Sequence, residues 1–363
     1  MMKKITSMIL ALVFAVSVIG SASAKTLKIQ LTFPKTSYDG QIVKMWTDRV
    51  TKLTRGELKF ELLSKGEVVG MKETLEAVDK GLVDGGAAWT HYWSNYHPAA
   101  MLFGSPVAGG GIGLSTKSWL AWYFDNGGKE LYDQLWSEMG MNVKGFVMAS
   151  SGPEALGWFK EPIKNMDDFR KYRFRTPPGI PGQTYKDIGI ASVSLSGGDI
   201  LPALEKGTID AAEWCCPKPD SVFGFQKVLK NYYLQGLHQN VVNGDIYING
   251  DVYNSLTDHQ KYAMEVASEA MITRNITNRA VENGKALIDL TENHGVKLWD
   301  TPADYFTEYM NAAQATLKKN AASNAFFKEV YEHMTAHAKI VVPFIAQMET
   351  SDASIGTAFA SQQ

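Results

Sequence analysis

The stretch VSLSGGDILPALEKGTIDAAEW, residues 193–214, decides the fold. Its centre, ALEKGTIDA (203–211), repeats AVDKGLVDG (77–85). Ala, Lys, Gly and Asp recur at a constant offset of 126 residues: 77 and 203, 80 and 206, 81 and 207, 84 and 210. Each copy reads as an amphipathic helix that ends at a Gly, with a short strand beginning two residues later. Gly suits that point because helices commonly end on a left-handed residue, which Gly adopts without steric penalty. So long an offset is not a solenoid period. It implies two lobes on one αβ plan, with a cleft between them where small molecules bind. The plain alternative is chance recurrence of common helix-to-strand chemistry.

Residues 1–24 read as a secretory signal. Lys3 and Lys4 are its basic start, residues 5–19 its apolar run, and Ala22-Ser23-Ala24 its small-residue cleavage site. No Cys follows the site to carry a lipid, and no later run of about 18 apolar residues would span a membrane. The mature chain, cleaved after Ala24, is expected free in the periplasm. The formal net charge of −2 becomes −4 once Lys3 and Lys4 are removed. That balance argues against nucleic acid or an anionic membrane as partner, so an anionic ligand must meet a local basic group. The two cysteines, Cys215 and Cys216, are adjacent and cannot staple distant segments. They read either as free thiols or as a strained vicinal ring. No His is close enough in sequence to favour a catalytic thiol.

Along the chain, strands at 27–33 and 58–64 alternate with helices at 37–54 and 72–80, which argues for an α/β lobe with a largely parallel sheet. A helical stretch at 116–139 and a strand at 143–149 follow. A second lobe opens at Ser150, with a short helix at NMDDF (165–169), a strand at 172–176, and a helix start at SLSGGD with Ser196 as N-cap and Asp199 three residues on. DIYIN (245–249) reads as a strand returning to the first lobe. Residues 257–294 have helical periodicity long enough to bridge two lobes, 296–300 form one more strand, and the chain is helical from Ala303 as a packing brace or dimer contact. The expected plan is 25–148 with 239–283 as one lobe, 149–238 with 284–330 as the other, and 331–363 as a helical tail.

Catalytic signatures are missing: there is no nucleophile elbow, HExxH or Cys/His metal cluster. Gly109 to Gly113 lacks the Lys and Ser/Thr of a phosphate loop. His91 and His97, six apart, read as solvent or loop histidines. Binding chemistry is better represented. Arg175 stands at the end of a strand entering a Pro-Pro-Gly turn, where α/β lobes meet ligands, and a guanidinium there grips a carboxylate with direction as well as charge. Its plain reading is a surface Arg, as for Arg170 and Arg173. Tyr92, Trp93, Trp158 and Trp214 lie beside polar residues, although most aromatics are core. Glu213, beside Trp214 at a strand end, must be paired, protonated or bound to a cation if its setting is apolar.

With these residues in place, the chain resembles the substrate-binding proteins of TRAP transporters, in the branch that binds 2-oxo and 2-hydroxy monocarboxylates. FPKTSYDG (33–40), YRFRTPPG (172–179), SLSGGDILPALEKGTIDAAEW (194–214) and GLHQ (236–239) carry the likeness. The resemblance implies an α/β, two-lobed periplasmic-binding-protein-like fold with a long connecting helix and a C-terminal helical tail. It implies a hinge-closing receptor that hands a small organic acid to TRAP membrane subunits, not an enzyme. A homodimer through the C-terminal helices is compatible with it.

The resemblance also implies that Arg175 clamps the ligand carboxylate. One sodium or calcium ion, with no organic cofactor, would bridge protein and ligand. The implied cation ligands are Glu154, where the family carries Gln; Glu213; Trp214 through its carbonyl; and Gln239, where the family carries an acid after the His of a GWHE-like motif. The two departures exchange charge, so two carboxylates and one amide remain, a set that a hard cation tolerates. Alternatively the metal is absent and Glu154 pairs with a cationic part of the ligand. Ser150 replaces a family Asn in the ligand-binding wall, which it enlarges or re-polarises; Tyr92 stands where a pocket Tyr offers its hydroxyl to the ligand; Trp214 and Glu154 also count as ligand-binding; and Cys215-Cys216 replace Val-Gly at the pocket rim. The competing readings are a secreted enzyme acting on small acids and a ligand-sensing input protein for a signalling receptor.

Overall fold

Strand β1 (Lys25–Leu31) buries Leu27, Ile29 and Leu31 and leaves Lys28 exposed. Helix Tyr38–Leu53 covers the buried face with Ile42, Val43, Trp46 and Val50. The computed structural model describes residues 24–362 apart from Ser196, so the expected signal and the Ser196 N-cap lie outside the described residues. After β1 come β2 (Leu58–Leu63), β3 (Gly85–Trp89), β4 (Val143–Ser151), β5 (Gly157–Phe159), β6 (Arg173–Arg175), β7 (Ala191–Val193), β8 (Ala211–Ala212), β9 (Asn231–Tyr233), β10 (Val242–Asn249) and β11 (Lys297–Trp299).

These strands form two sheets, β2-β1-β3-β10-β4 and β11-β9-β5-β8-β6-β7, one in each lobe of an α/β molecule. Each sheet has a parallel trio, β2-β1-β3 or β7-β6-β8, beside which β10 or β5 runs antiparallel. The expectation of a largely parallel sheet is therefore corrected to a mixed one. The cause is topological. The chain leaves the first sheet between β4 and β5 and returns between β9 and β10, so each arriving strand starts at the cleft end of its trio and runs against it. Gly244 near the start of β10 faces Trp89 at the end of β3, and Trp158 of β5 faces Ala212 at the end of β8.

The sequence repeat has one structural meaning in both lobes. Helices Thr74–Asp79 and Gly197–Glu205 are followed by left-handed Gly81 (φ 69°) and Gly207 (φ 67°). The same pair of bonds closes each end: Leu82 N to Ala77 O at 2.8 Å and Gly81 N to Val78 O at 3.0 Å, against Thr208 N to Ala203 O at 2.9 Å and Gly207 N to Leu204 O at 3.1 Å. The strand then begins four residues after the Gly, not two, because the intervening residues complete the cap and carry the repeated Asp. Asp84 accepts from Lys28 N of the neighbouring β1 at 2.8 Å, and Asp210 accepts from Arg173 N of the neighbouring β6 at 3.4 Å.

Other expectations shift in detail. The helical stretch at 116–139 is two helices, Thr116–Asp125 and Gly128–Glu138, broken where Gly127 adopts φ 78°. His91 and His97 are buried rather than solvated; burial lowers both imidazole pKa values, that of His91 to about 4, so both are neutral. Helix Asp258–His294, capped by Thr257 with Gln260 and ended by Gly295, is about 55 Å long at 1.5 Å per residue. Its Met264 and Met271 join the first lobe's core and its Leu290 the second's, so it bridges the lobes.

The tail is two helices, Ala303–Ser323 and Ala325–Ala360, joined at Asn324. Tyr305 and Tyr309 of the first pack against Tyr185 in the second lobe, and Trp122 of the first lobe donates to His333 of the last helix at 2.9 Å. The tail thus braces both lobes. None of the described helices is long and apolar enough to cross a membrane.

Candidate functional site

The two crossover segments, 152–156 and 234–241, run side by side between the sheets. Glu154 N donates to Gln239 O at 3.0 Å, and Ala155 N donates to Cys215 O at 2.8 Å. Arg175 ends β6, Glu213 directly follows β8, and these strands are parallel neighbours with Arg175 opposite Ala212. The carboxyl ends of parallel strands in the second lobe therefore meet both crossovers, which is where open α/β sheets place ligands. Arg175, Glu154, Glu213 and Trp214 come together here, with Gln239 joined through its backbone carbonyl.

Arg175 is 5% exposed and Glu213 is 0% exposed, which overturns the surface reading of Arg175. Nη1 donates to Glu213 Oε1 at 2.5 Å and to the Glu213 carbonyl at 2.9 Å, while Nε and Nη2 donate to Leu195 O at 3.1 and 3.0 Å. The guanidinium also stacks over the Trp214 ring at 5.1 Å, and Phe223 packs on that indole at 4.7 Å. Among the described residues no donor reaches the Trp214 carbonyl.

The far side of the Arg175–Glu213 pair is under-satisfied. Glu213 Oε2 and Glu154 Oε2 are buried without a hydrogen-bond partner, as is His238 Nε2, which lies 3.5 Å from Glu213 Oε2. One potential ligand atom each from Glu154, Glu213 and His238 falls within a 4.8 Å cluster. Buried polar atoms seldom lack partners, so three converging here mark a place built for something else. His238 is held from behind: its Nδ1 meets Tyr185 OH at 3.1 Å, Tyr185 OH meets Tyr305 OH at 3.2 Å, and Tyr305 OH accepts from Leu237 N at 3.1 Å.

Burial drives the electrostatics. It holds the Glu154 carboxyl well above the usual carboxylate range; Glu213 and Cys216 push the same way and Arg279 opposes. Burial also raises the partly buried Tyr92 phenol, with Asp39, Glu154 and Glu213 adding to the effect and Arg175 opposing it. Asp220 beneath the site is pushed up to about 7 by burial, although Trp158, Tyr232 and the Cys215 N–H all donate to it.

Ser150 is placed differently from the sequence expectation. Its hydroxyl is committed to Asn243 Oδ1 at 2.7 Å inside the first lobe, and its carbonyl accepts from Asn275 Nδ2 at 2.8 Å. Two residues escaped sequence reasoning as site members. His238 sits in the GLHQ motif, where the resemblance singles out only the following Gln239. Arg279 lies on the buried stripe of the long helix with Met271 and Asn275, a spacing of four that was the one available signal. Its guanidinium pairs with Asp39 at 2.8 Å and stacks on Tyr38 at 4.8 Å in the first lobe.

The Arg175–Glu213 pair is testable without any ligand. Arg175→Ala leaves a buried carboxylate uncompensated and is expected to cost about 3–5 kcal/mol of stability in denaturant unfolding. Adding Glu213→Gln should recover part of that loss; equal stability of wild type and Arg175→Ala would show that the pair does not bear charge.

With this geometry in view, comparison with known proteins is direct. Residues 31–324 match the bacterial extracellular solute-binding protein, family 7 (DctP). A monocarboxylate 2-oxoacid-binding periplasmic protein of Nostoc is 32% identical over 298 residues, 80% of this chain and 78% of that protein. The fold is similar to a TRAP transporter solute binding protein of Bordetella bronchiseptica, a mixed-occupancy dimer with copurified calcium and picolinate in one site and the other apo. Its TM-score is 0.85 and its identity 25%, over 94% of this chain and 99% of that one. A TRAP periplasmic solute binding protein of Pseudoalteromonas atlantica with bound sodium and pyruvate superposes with a TM-score of 0.83 at 21% identity, over 92% and 99% of the two chains. The match over most of the chain, on two lobes that meet at a buried charged cleft, places this protein in the bacterial extracellular solute-binding protein family 7.

Proposed function

We propose that this protein is a periplasmic receptor of a TRAP transporter that captures a small 2-oxo or 2-hydroxy monocarboxylate together with one sodium or calcium ion. It delivers the acid to the membrane subunits without chemical turnover or an organic cofactor. The observation that carries this reading is the pair of buried, unpartnered carboxylate oxygens, Glu154 Oε2 and Glu213 Oε2, beside Arg175. Burial favours the neutral form of Glu154, and ionising it would set three negative charges, those of Glu154, Glu213 and an incoming acid, against the Arg175 guanidinium. Such a balance in a dry cleft calls for a cation.

Glu154, Glu213, the Trp214 carbonyl and the Gln239 amide would hold it, an oxygen-rich set that fits a hard ion. When bound, the cation supplies the positive charge that lets these groups and the acid share one site. The chain's own residues do the rest. Arg175 directs N–H groups at the carboxylate, trading its hold on Leu195 O; Tyr92, kept protonated by burial, donates to the 2-oxo or 2-hydroxy oxygen; His238 orients Glu213. Ser150 shapes the wall through Asn243. The Nostoc relative's 2-oxoacids, the calcium with picolinate and the sodium with pyruvate all support this chemistry.

In this reading the signal is cleaved after Ala24, and residues 25–148 with 239–283 close against 149–238 with 284–330 about the crossovers. A thermal-shift series on residues 25–363 in sodium-free buffer tests it. Pyruvate or lactate with calcium is expected to raise Tm, since a ligand at about one hundred times its Kd adds about 2.7 kcal/mol. Chelator should abolish the rise and calcium restore it. An undiminished rise in chelator would remove the cation, and no response to any 2-oxo or 2-hydroxy acid would remove the ligand class.

The exposed Ile340, Phe344, Met348, Ile355 and Phe359 line one face of the last helix, and the same reading seats a second copy of the chain there. Sedimentation should find a dimer that Phe344→Glu converts to monomer. A monomeric wild type at micromolar concentration would contradict it.

A further inference from the structure

Cys215 and Cys216 are both free and buried, and they directly follow Glu213 and Trp214. Neighbouring side chains on an extended strand point to opposite faces. These two instead converge on one group: both sulfurs lie against Arg279 Nη1, at 3.6 and 3.7 Å. Their backbone is pinned on both edges. Cys215 N and Cys216 N donate to the same Asp220 Oδ1 at 3.0 and 3.2 Å, and Cys215 O accepts from Ala155 N at 2.8 Å, next to Glu154.

The bonds that hold the pair therefore also fix Glu213 and Trp214 on one side and Glu154 on the other. Adjacent Cα atoms stand about 3.8 Å apart, whereas an ordinary disulfide spans about 4.4–6.8 Å. Closing a bond between these sulfurs must twist the 215–216 peptide and turn an N–H away from Asp220.

We propose that Cys215 and Cys216 form a thiol–disulfide exchange site whose oxidation weakens binding at the adjoining acid site. One cysteine, as thiolate, attacks a disulfide RS–SR and releases RS⁻. The second then attacks the mixed disulfide and releases the other. The pair loses two electrons and two protons, and RS–SR, reduced by them, leaves as two RSH. Ring closure draws the Trp214 carbonyl and the Glu213 carboxylate from their places and takes the thiols from Arg279, which keeps Asp39 in the first lobe but loses its contact with the second. Linkage is reciprocal, so the bound acid and cation must favour the dithiol and make the pair harder to oxidise.

This inference rests on the acid-receptor reading, and one experiment separates the two. Mature protein is treated with oxidised or reduced glutathione, and the product is identified by intact mass: loss of two hydrogens for the ring, a glutathione adduct for a stalled exchange. Pyruvate with calcium is then titrated into each form by calorimetry. The expected result is ring formation, about tenfold weaker binding in the oxidised form, recovery on reduction, and slower oxidation when pyruvate and calcium are present. Cys216→Ser, with Cys215→Ser as a second variant, should bind like reduced protein and ignore oxidised glutathione; the wild-type comparison depends on neither variant. A reduced form that binds while the oxidised form binds equally, or a pair that never closes, overturns the switch alone. A reduced form that binds no acid overturns the receptor reading and the switch together.

Discussion

A guanidinium and a carboxylate enclosed together away from water constrain everything around them. Arg175 and Glu213 are both buried, and either alone would carry an uncompensated charge in a low-dielectric interior. They meet because β6 and β8 are parallel neighbours whose ends are in register. Three of the five guanidinium N–H groups donate to carbonyls, and its face stacks over the Trp214 indole, which fixes its plane. Glu213 then has one oxygen spoken for and one left over. That remaining oxygen, beside Glu154 and His238, gives the cleft its unsatisfied negative charge.

The placement of Glu154, His238 and Gln239 adds a dynamic consequence. All three lie on the crossover segments that join the lobes, so a group held among them grips the hinge itself rather than one wall of the cleft. The long helix passes the same point. Tyr38 OH of the first lobe bonds Asn278 at 2.7 Å, Lys218 N of the second bonds Asn283 at 3.0 Å, and Arg279 lies between them. In the proposed receptor these contiguous contacts are the route by which occupancy of the site would bias the relative position of the lobes.

Much of this was legible in the sequence, and the limits have physical causes. The Lys-Gly-x-x-Asp repeat marked two similar lobes because cap chemistry is local: a left-handed Gly and an Asp that serves the next strand leave the same residues wherever they occur. Arg175 and Glu213 stood out because charged residues at strand ends need explaining. The mixed sheets were not legible, since β5 and β10 pair with strands far away in sequence. Gly127 broke a helix whose periodicity ran on across it. The Asn243 partner of Ser150 and the place of His238 in the site were not legible, because both depend on contacts, with Asn243 and Tyr185, that only the fold supplies. Arg279 carried no motif, only a place on a helical stripe.

The most direct measurement of the central claim is a crystal structure of the mature protein grown with pyruvate and calcium. The expected density places a cation about 2.3–2.6 Å from oxygens of Glu213, Glu154 and the Trp214 carbonyl, with the pyruvate carboxylate on Arg175 and the lobes closed over it. Pyruvate bound away from Arg175, or a filled cleft in which Glu154 and Glu213 still lack a cation, would contradict it.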